Sequence, residues 1–281
     1  MIPWDAFAVS EQGRSPDGNE DYAVVAPEDG VFIVADGMGG RPGGDRASRV
    51  GAEAFLDQVR RLAPDERLDD RCLRGALSEA NDAVRALARG DPTLTGLGTT
   101  LSAIVWAGGE GRIVHVGDSR VYRCRQGNLE QLTADHTLVA ELVARHHLST
   151  EAARRYPLKN VLSRSLGPRG SVQPDIAPLV LAPGDWLLLA TDGLAQAMPA
   201  RRLVSVIGEA GTDGAEVLCR AVMAAALDGP TEDNITVLAA RLRAPEPEGA
   251  REAWSAVRRG EAATEGASHS KRLEAAQNDG A

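Results

Sequence analysis

Apolar residues recur along this chain in two rhythms. Near the amino terminus, 6–10 and 22–26 read as short strands around a polar loop, and Val31-Phe32-Ile33-Val34-Ala35 as a stronger one. Glycines at 37, 39, 40, 43 and 44 then interrupt the pattern. A helix follows over about 45–62, with Ala47, Val50, Gly51, Ala54, Phe55 and Val59 as its apolar stripe. A second amphipathic segment occupies roughly 70–87, after a polar turn around Pro64. Two helices in succession predict one packed layer.

The period changes in the next half. Segments 99–107, 111–116, 120–125 and 128–132 resemble antiparallel strands joined by short turns. Residues 133–147 lead into a polar helical insertion, with a second short helix at about 150–155. A buried strand pattern returns at 185–190, helices at 201–208 and 214–226, and a closing strand at 235–241. This order is not a regular βαβ alternation; it predicts an α+β sandwich with helices over antiparallel sheets. Beyond Arg243 the composition turns to Pro, Glu, Gly, Arg, Ser and Ala, with Trp254 and Val257 isolated. Residues 244–281 therefore read as a flexible polar tail, a short partner-bound helix being the alternative.

With 281 residues, 43% of them hydrophobic, the chain can build one large core or two small domains. The formal charge of -9 opposes a nucleic-acid footprint, which needs a basic face. Cys72, Cys124 and Cys219 are isolated, read as reduced, and lack the following loop and Arg that a cysteine-based phosphatase uses. No basic segment followed by an apolar stretch opens the chain, and no apolar run reaches the roughly 18 residues of a membrane span. The expected setting is the cytoplasm, with no membrane partner.

Candidate chemistry sits where apolar runs end. Asn19-Glu20-Asp21, Asp36-Gly37, Gly117-Asp118, Thr191-Asp192-Gly193 and Asp233-Asn234 all place acids at strand-end positions. A lone strand-end Asp is ordinarily a turn or cap residue. Several of them brought together by a sheet would instead offer carboxylate oxygens to a hard divalent ion, Mg²⁺ or Mn²⁺, suited to phosphoryl hydrolysis. Because these acids run from Glu20 to Asp233, a site using all of them needs a common scaffold, which favours one domain over 1–243.

The motifs Asn19-Glu20-Asp21, Val34-Ala35-Asp36-Gly37-Met38-Gly39-Gly40, Val116-Gly117-Asp118-Ser119-Arg120, Thr191-Asp192-Gly193-Leu194 and Asp233-Asn234-Ile235-Thr236 appear in one order. Together they resemble the bacterial protein phosphatase 2C-like (PPM) family of metal-dependent Ser/Thr phosphatases. Leu132-Thr133-Ala134-Asp135-His136 and 160–167 add to the match, which covers about 6–241. The resemblance implies a four-layer α-β-β-α sandwich with two central, mainly antiparallel sheets. It implies two closely spaced Mn²⁺ or Mg²⁺ ions, with Asp36 bridging, Glu20 and the Gly37 carbonyl on one side, and Asp192 and Asp233 completing the centre. Asp118 with Asp192 would support a third, weaker ion, and Asp21 is an accessory candidate that orients waters or loop groups. Segment 134–159 corresponds to a flap near the substrate entrance.

Two positions depart from the family pattern. The phosphate-binding Arg expected three residues before Asn19 is Pro16 here, so Arg14 is only a candidate clamp, a solvent-facing Arg being the alternative. Arg41 stands where the family often has His; a permanently protonated guanidinium is a poor general acid, but it remains an accessory candidate for phosphate. His115, inside an apolar run, reads as packed, while Asp135 and His136 read as ordering a turn. His146, His147, Arg145, Arg154, Arg155 and Lys159 lie in the polar insertion. The implied activity is hydrolysis of phosphoserine or phosphothreonine proteins by a metal-activated water, catalysed by a monomer whose partners include a cognate Ser/Thr kinase or its substrates. The alternatives are a phosphatase for a non-protein phosphomonoester and a catalytically weak phospho-binding regulatory module.

Overall fold

The computed structural model describes residues 4–15, 18–39, 43–230 and 232–243. Three strands come first: β1 (Trp4–Glu11), β2 (Asp21–Ala26) and β3 (Val31–Met38). Helices α1 (Gly44–Arg61) and α2 (Asp70–Gly90) follow, the second capped by the Asp69 carboxylate, which accepts from the Arg71 and Cys72 N–H groups. Strands β4 (Gly98–Thr99), β5 (Leu101–Ala107), β6 (Glu110–Val116), β7 (Arg120–Arg125) and β8 (Asn128–Gln131) come next, β5 pairing with β6 and β7 with β8, while β6 and β7 fall in different sheets. Two short helices, α3 (Leu138–Ala144) and α4 (Thr150–Arg154), carry the polar insertion, with Thr137 and Ser149 hydroxyls as their N-caps. The remainder is β9 (Asp175–Leu179), β10 (Trp186–Ala190), α5 (Asp192–Ala197), α6 (Ala200–Ala210), α7 (Ala215–Leu227) and β11 (Ile235–Leu242).

The strands make two antiparallel sheets, one in the order β1-β11-β10-β7-β8 and the other β2-β3-β5-β6-β9, with β4 beside β3. Between them lies a layer of Trp4, Phe32, Ile104, Trp106, Leu187 and Leu238, in which the Trp4 and Phe32 rings meet edge to face at 4.8 Å. Helices α1 and α2 cover the outer face of the second sheet through Phe55, Val59, Leu73 and Leu77. The outer face of the first is covered by α5, α6 and α7 through Leu194, Leu203, Leu218 and Val222. The expected four-layer sandwich is thus present, and both sheets carry apolar residues on both faces, which explains continuous buried runs such as 31–35 and 186–190.

The stripe expected on α1 is buried at Ala47, Gly51, Phe55 and Val59 and partly exposed at Val50 and Ala54. Three features differ from the sequence reading. Strand β9 was not expected, and its Pro178 weakens the strand pattern; it is tolerated because β9 is the edge strand, paired only with β6. Helix α5 is too short to show a period. The expected strand over 99–107 divides at Thr100, whose side chain is diverted to Asp36. Cys72, Cys124 and Cys219 are free thiols, and burial pushes Cys219 up to about 12, so it is no nucleophile. Among the described residues no helix is long and apolar enough to cross a membrane. The expected tail at 244–281 lies outside the described residues.

Candidate metal centre

Strand pairing brings together acids that the sequence keeps far apart. Antiparallel pairing of β2 with β3 sets Asp21 opposite Asp36. In the other sheet, β10 and β11 are antiparallel neighbours, so the exit of β10 into Asp192 meets the entry of β11 from Asp233. The turn after β6 adds Asp118. Asp36, Asp118, Asp192 and Asp233 line one open cleft with Met38, Thr100 and residues from 160–169. Thr191 ties the two sheets at this end, donating from Oγ1 to Asp21 Oδ2 at 2.8 Å while accepting the Thr236 N–H at 2.9 Å.

Around the acids, backbone groups are held by buried hydroxyls and amides. The Asp36 N–H donates to Thr100 Oγ1 at 2.9 Å, and its carbonyl accepts from Thr100 N–H at 2.9 Å and Thr99 Oγ1 at 3.0 Å. Thr100 Oγ1 is in turn bonded to Ser119 Oγ at 2.7 Å. The Glu20 N–H donates to Asn234 Oδ1 at 2.8 Å, and the Glu20 carbonyl accepts from Gly37 N–H at 3.1 Å and Ser48 Oγ at 2.6 Å. Asn234 Nδ2 donates to the Gln12 and Gly18 carbonyls, stapling the β1–β2 loop to the start of β11. Gln196 Nε2 spans Asp192 Oδ2 at 2.9 Å and Asp233 Oδ2 at 3.2 Å. Close approach explains two of the glycines: a Cβ on Gly44 would stand 2.5 Å from the Glu20 carboxyl carbon, and one on Gly193 would strike the Asn234 carbonyl.

These supports, Thr99, Thr100, Ser119, Ser48 and Gln196, were not singled out in the sequence. Gln196 alone left a signal, one helical turn after Asp192. The hydroxyls left none, because their partners are distant in sequence.

Electrostatics set the cluster apart from ordinary surface acids. Burial, followed by the charges of Asp21, Asp192, Asp118 and Asp233, pushes the Asp36 carboxyl well above its ordinary range. Asp21 and Asp118 are each raised to about 7 and Asp192 to about 6, burial being the first cause in all three. Asp192 feels Asp233 next, and Asp118 feels Asp192. Asp21 Oδ1 and Asp192 Oδ1 are buried acceptors without a hydrogen-bond partner. Unsatisfied carboxylate oxygens in a like-charged basin fit a hard divalent cation. Among the described residues no three His, Cys, Asp or Glu side chains converge closely enough to enclose one ion alone.

The other expected residues are placed as follows. Gly37 is buried and bonded to the Glu20 carbonyl. Arg14 is exposed in the β1–β2 loop, outside the cleft lining, next to Gly13, which packs on the Asp233 carbonyl. Arg41 and Pro16 lie outside the described residues. Asp135 forms a two-pronged ion pair with Arg120, at 2.9 and 2.6 Å. His136 accepts the Gly117 N–H at Nδ1 and meets Asp175 at Nε2, so it braces the Asp118 turn from behind. His115 is buried between Ser102 Oγ and the Ala134 carbonyl, and burial lowers it to about 4, so it is packed and neutral. His146, His147, Arg145, Arg155 and Lys159 are exposed in the insertion.

A model of the protein phosphatase 2C family matches residues 14–210. Serine/threonine phosphatase stp of Listeria monocytogenes is 35% identical over 235 residues, 82% of this chain and 92% of that protein. Serine/threonine protein phosphatase PstP of Mycobacterium tuberculosis is 34% identical over 237 residues, 83% of this chain and 44% of that one. The crystal structure of M. tuberculosis PstP/Ppp matches with a TM-score of 0.77 at 31% identity, covering 86% of this chain and 99% of that chain. A PstP catalytic domain in complex with two manganese ions matches with a TM-score of 0.71 at 30% identity, covering 86% and 99%. With the two-sheet sandwich and the acidic cleft at one end of it, these likenesses establish that the chain belongs to the protein phosphatase 2C family of metal-dependent phosphatases.

Proposed function

We propose that the cleft is the active centre of a metal-dependent protein serine/threonine phosphatase, with Asp36, Glu20, the Gly37 carbonyl, Asp192 and Asp233 holding two Mn²⁺ or Mg²⁺ ions. When bound, the ions neutralise the phosphoryl oxygens and supply an acidified water as nucleophile. Asp118 with Asp192 serves a third, weaker site, and Asp21 keeps Thr191 and the sheet ends in place. The observation that carries this reading is the convergence of Asp36, Asp118, Asp192 and Asp233 on one cleft, with buried acceptors on Asp192 and Asp21 left unsatisfied.

This chain's own work is positional. Thr100 and Ser119 fix the Asp36 backbone, Gln196 holds two carboxylates at a set separation, and Asn234 fixes the loop that presents Glu20. The substrates are phosphoserine and phosphothreonine proteins in the cytoplasm, including a cognate kinase or its targets, and the enzyme acts as a monomer. Residues 1–243 carry the activity, and 134–159 serve as the flap.

Phosphate release from matched phosphoserine, phosphothreonine and small non-protein phosphomonoesters, with Mn²⁺ present, tests the substrate class. Higher kcat/KM on the phosphopeptides is expected. Preference for a small metabolite-like ester would favour the non-protein reading, and peptide binding without any release would favour a phospho-binding module. Arg14→Ala separates the two readings of Arg14: a KM raised about 10-fold across substrates, the scale of one charge-assisted contact, would identify it as a clamp. An unchanged KM would identify Arg14 as a solvated side chain.

A further inference from the structure

Among the described residues that line the cleft, Arg169 is the one basic side chain, facing a basin that holds Asp36, Asp118, Asp192 and Asp233. It is exposed, and its guanidinium has no hydrogen bond or ion pair among the described residues. Most other arginines near the fold's polar seams are engaged, as Arg120 is with Asp135, Arg125 with Asp185 and Arg164 with Asp175. Its backbone, by contrast, is firmly held. Asn81, only 1% exposed on α2, donates Nδ2 to the Arg169 carbonyl at 3.2 Å and accepts the Gly167 N–H at Oδ1 at 2.8 Å. Just before it, Leu166 exchanges both backbone bonds with Thr99, at 2.9 and 3.0 Å.

A buried amide is thus committed to a surface turn whose outcome is one free cation at the mouth of an acidic cleft. Desolvating an amide is costly unless its bonds are specific, so the turn is held in one conformation. The wall beside Arg169 is otherwise uncharged: Asn160, Val161, Leu162, Ser163, Ser165 and Pro168.

From this geometry we infer that Arg169 is a specificity residue that receives an acidic side chain flanking the phosphorylated residue of a protein substrate. This rests on the phosphatase reading above and adds the substrate's sequence preference. The basin takes the phosphoryl group; the Arg169 fork stands on the wall, where a neighbouring Glu or Asp carboxylate would find the one basic side chain among the described residues of the lining, able to bind it in bidentate geometry. A basic flanking residue would meet that same charge as repulsion.

The test uses phosphothreonine peptides carrying Glu, Ala or Lys at each flanking position, with p-nitrophenyl phosphate as the small ester, assayed with Mn²⁺ for wild type, Arg169→Ala and Arg169→Glu. Wild type should favour one or more Glu-flanked peptides over their Lys counterparts, less so at high salt. Arg169→Ala should lose about fivefold more on those peptides than on the small ester, the scale of one exposed ion pair. Arg169→Glu should shift the preference toward Lys. Equal losses on all substrates would place Arg169 on the scissile phosphoryl group and overturn the inference, as would an acid preference that survives in Arg169→Glu. If wild type releases phosphate from nothing, the phosphatase reading fails. Fluorescence anisotropy of the same labelled peptides then judges Arg169 alone: acid-selective binding lost in Arg169→Ala upholds it, and binding indifferent to the flank overturns it.

Discussion

Asp36→Asn should lower Mn²⁺-dependent phosphate release by about 1,000-fold or more, at the upper end of what removing one preorganised electrostatic group costs. Asp36 lies where four other acidic side chains raise its proton affinity, and it lines the cleft with three of them. An amide of the same shape cannot supply the anionic oxygens that a hard cation needs. The same exchange removes a buried carboxyl whose ionisation its four acidic neighbours oppose. The metal-free variant should therefore melt at or above the wild-type temperature at neutral pH, so lost activity cannot be ascribed to misfolding. Release within about 10-fold of wild type would remove Asp36 from the centre, because even supporting residues around metals cost about 10 to 100-fold.

Removing divalent metal should abolish activity and make stability fall with rising pH. Without a cation Asp21 and Asp118 titrate near 7 and Asp192 near 6, while Asp36 lies well above its ordinary range. An unfolded aspartate titrates near ~3.9. Between these values the fold binds more protons than the unfolded chain, so the stabilisation is complete below about pH 4 and is lost as pH rises through about 6 to 7. Neutral, buried His115 and His136, both lowered, act in the opposite direction below about pH 6.5. They are two groups against four aspartates, and above that pH only the aspartates still titrate. Melting of the metal-free protein should drop by about 5 °C or more between about pH 5 and pH 8, and Mn²⁺ should restore more at the higher pH. A metal-free melting temperature that held or rose across this range, or full activity after verified metal removal, would contradict the carboxylate cluster as the cation's seat.

Much of this was legible in the chain itself. The apolar runs 31–35 and 186–190, the stripes of α1 and α2, and the individual strands β5 to β8 follow from side-chain periodicity, which is local; the change of sheet between β6 and β7 does not. Strand β9 was hidden because its proline and its short, half-exposed run carry little local preference, and β6 supplies the missing ladder. Helix α5 was hidden because six residues cannot display a helical period. At the site, the acids could be named because Asp-Gly and Asp-Asn steps mark strand ends in an ordered series. Their supports Thr100 on Asp36 and Thr191 on Asp21 could not, and Gln196, which spans Asp192 and Asp233, left only its spacing of one helical turn after Asp192. A hydroxyl or amide has no sequence rhythm, and its partner lies as many as 170 residues away.

By itself, then, the sequence determined the layers, the acidic strand ends and the family they resemble, since each depends on neighbours within a few residues. Only the tertiary structure decided that Asp36, Asp118, Asp192 and Asp233 share one cleft, that burial and neighbouring charge raise the proton affinity of Asp21, Asp36, Asp118 and Asp192, and that Arg169 stands unpaired on its wall. Proton affinity and ion pairing depend on charges and solvent within a few ångströms in space, and the stacking of two sheets sets those distances.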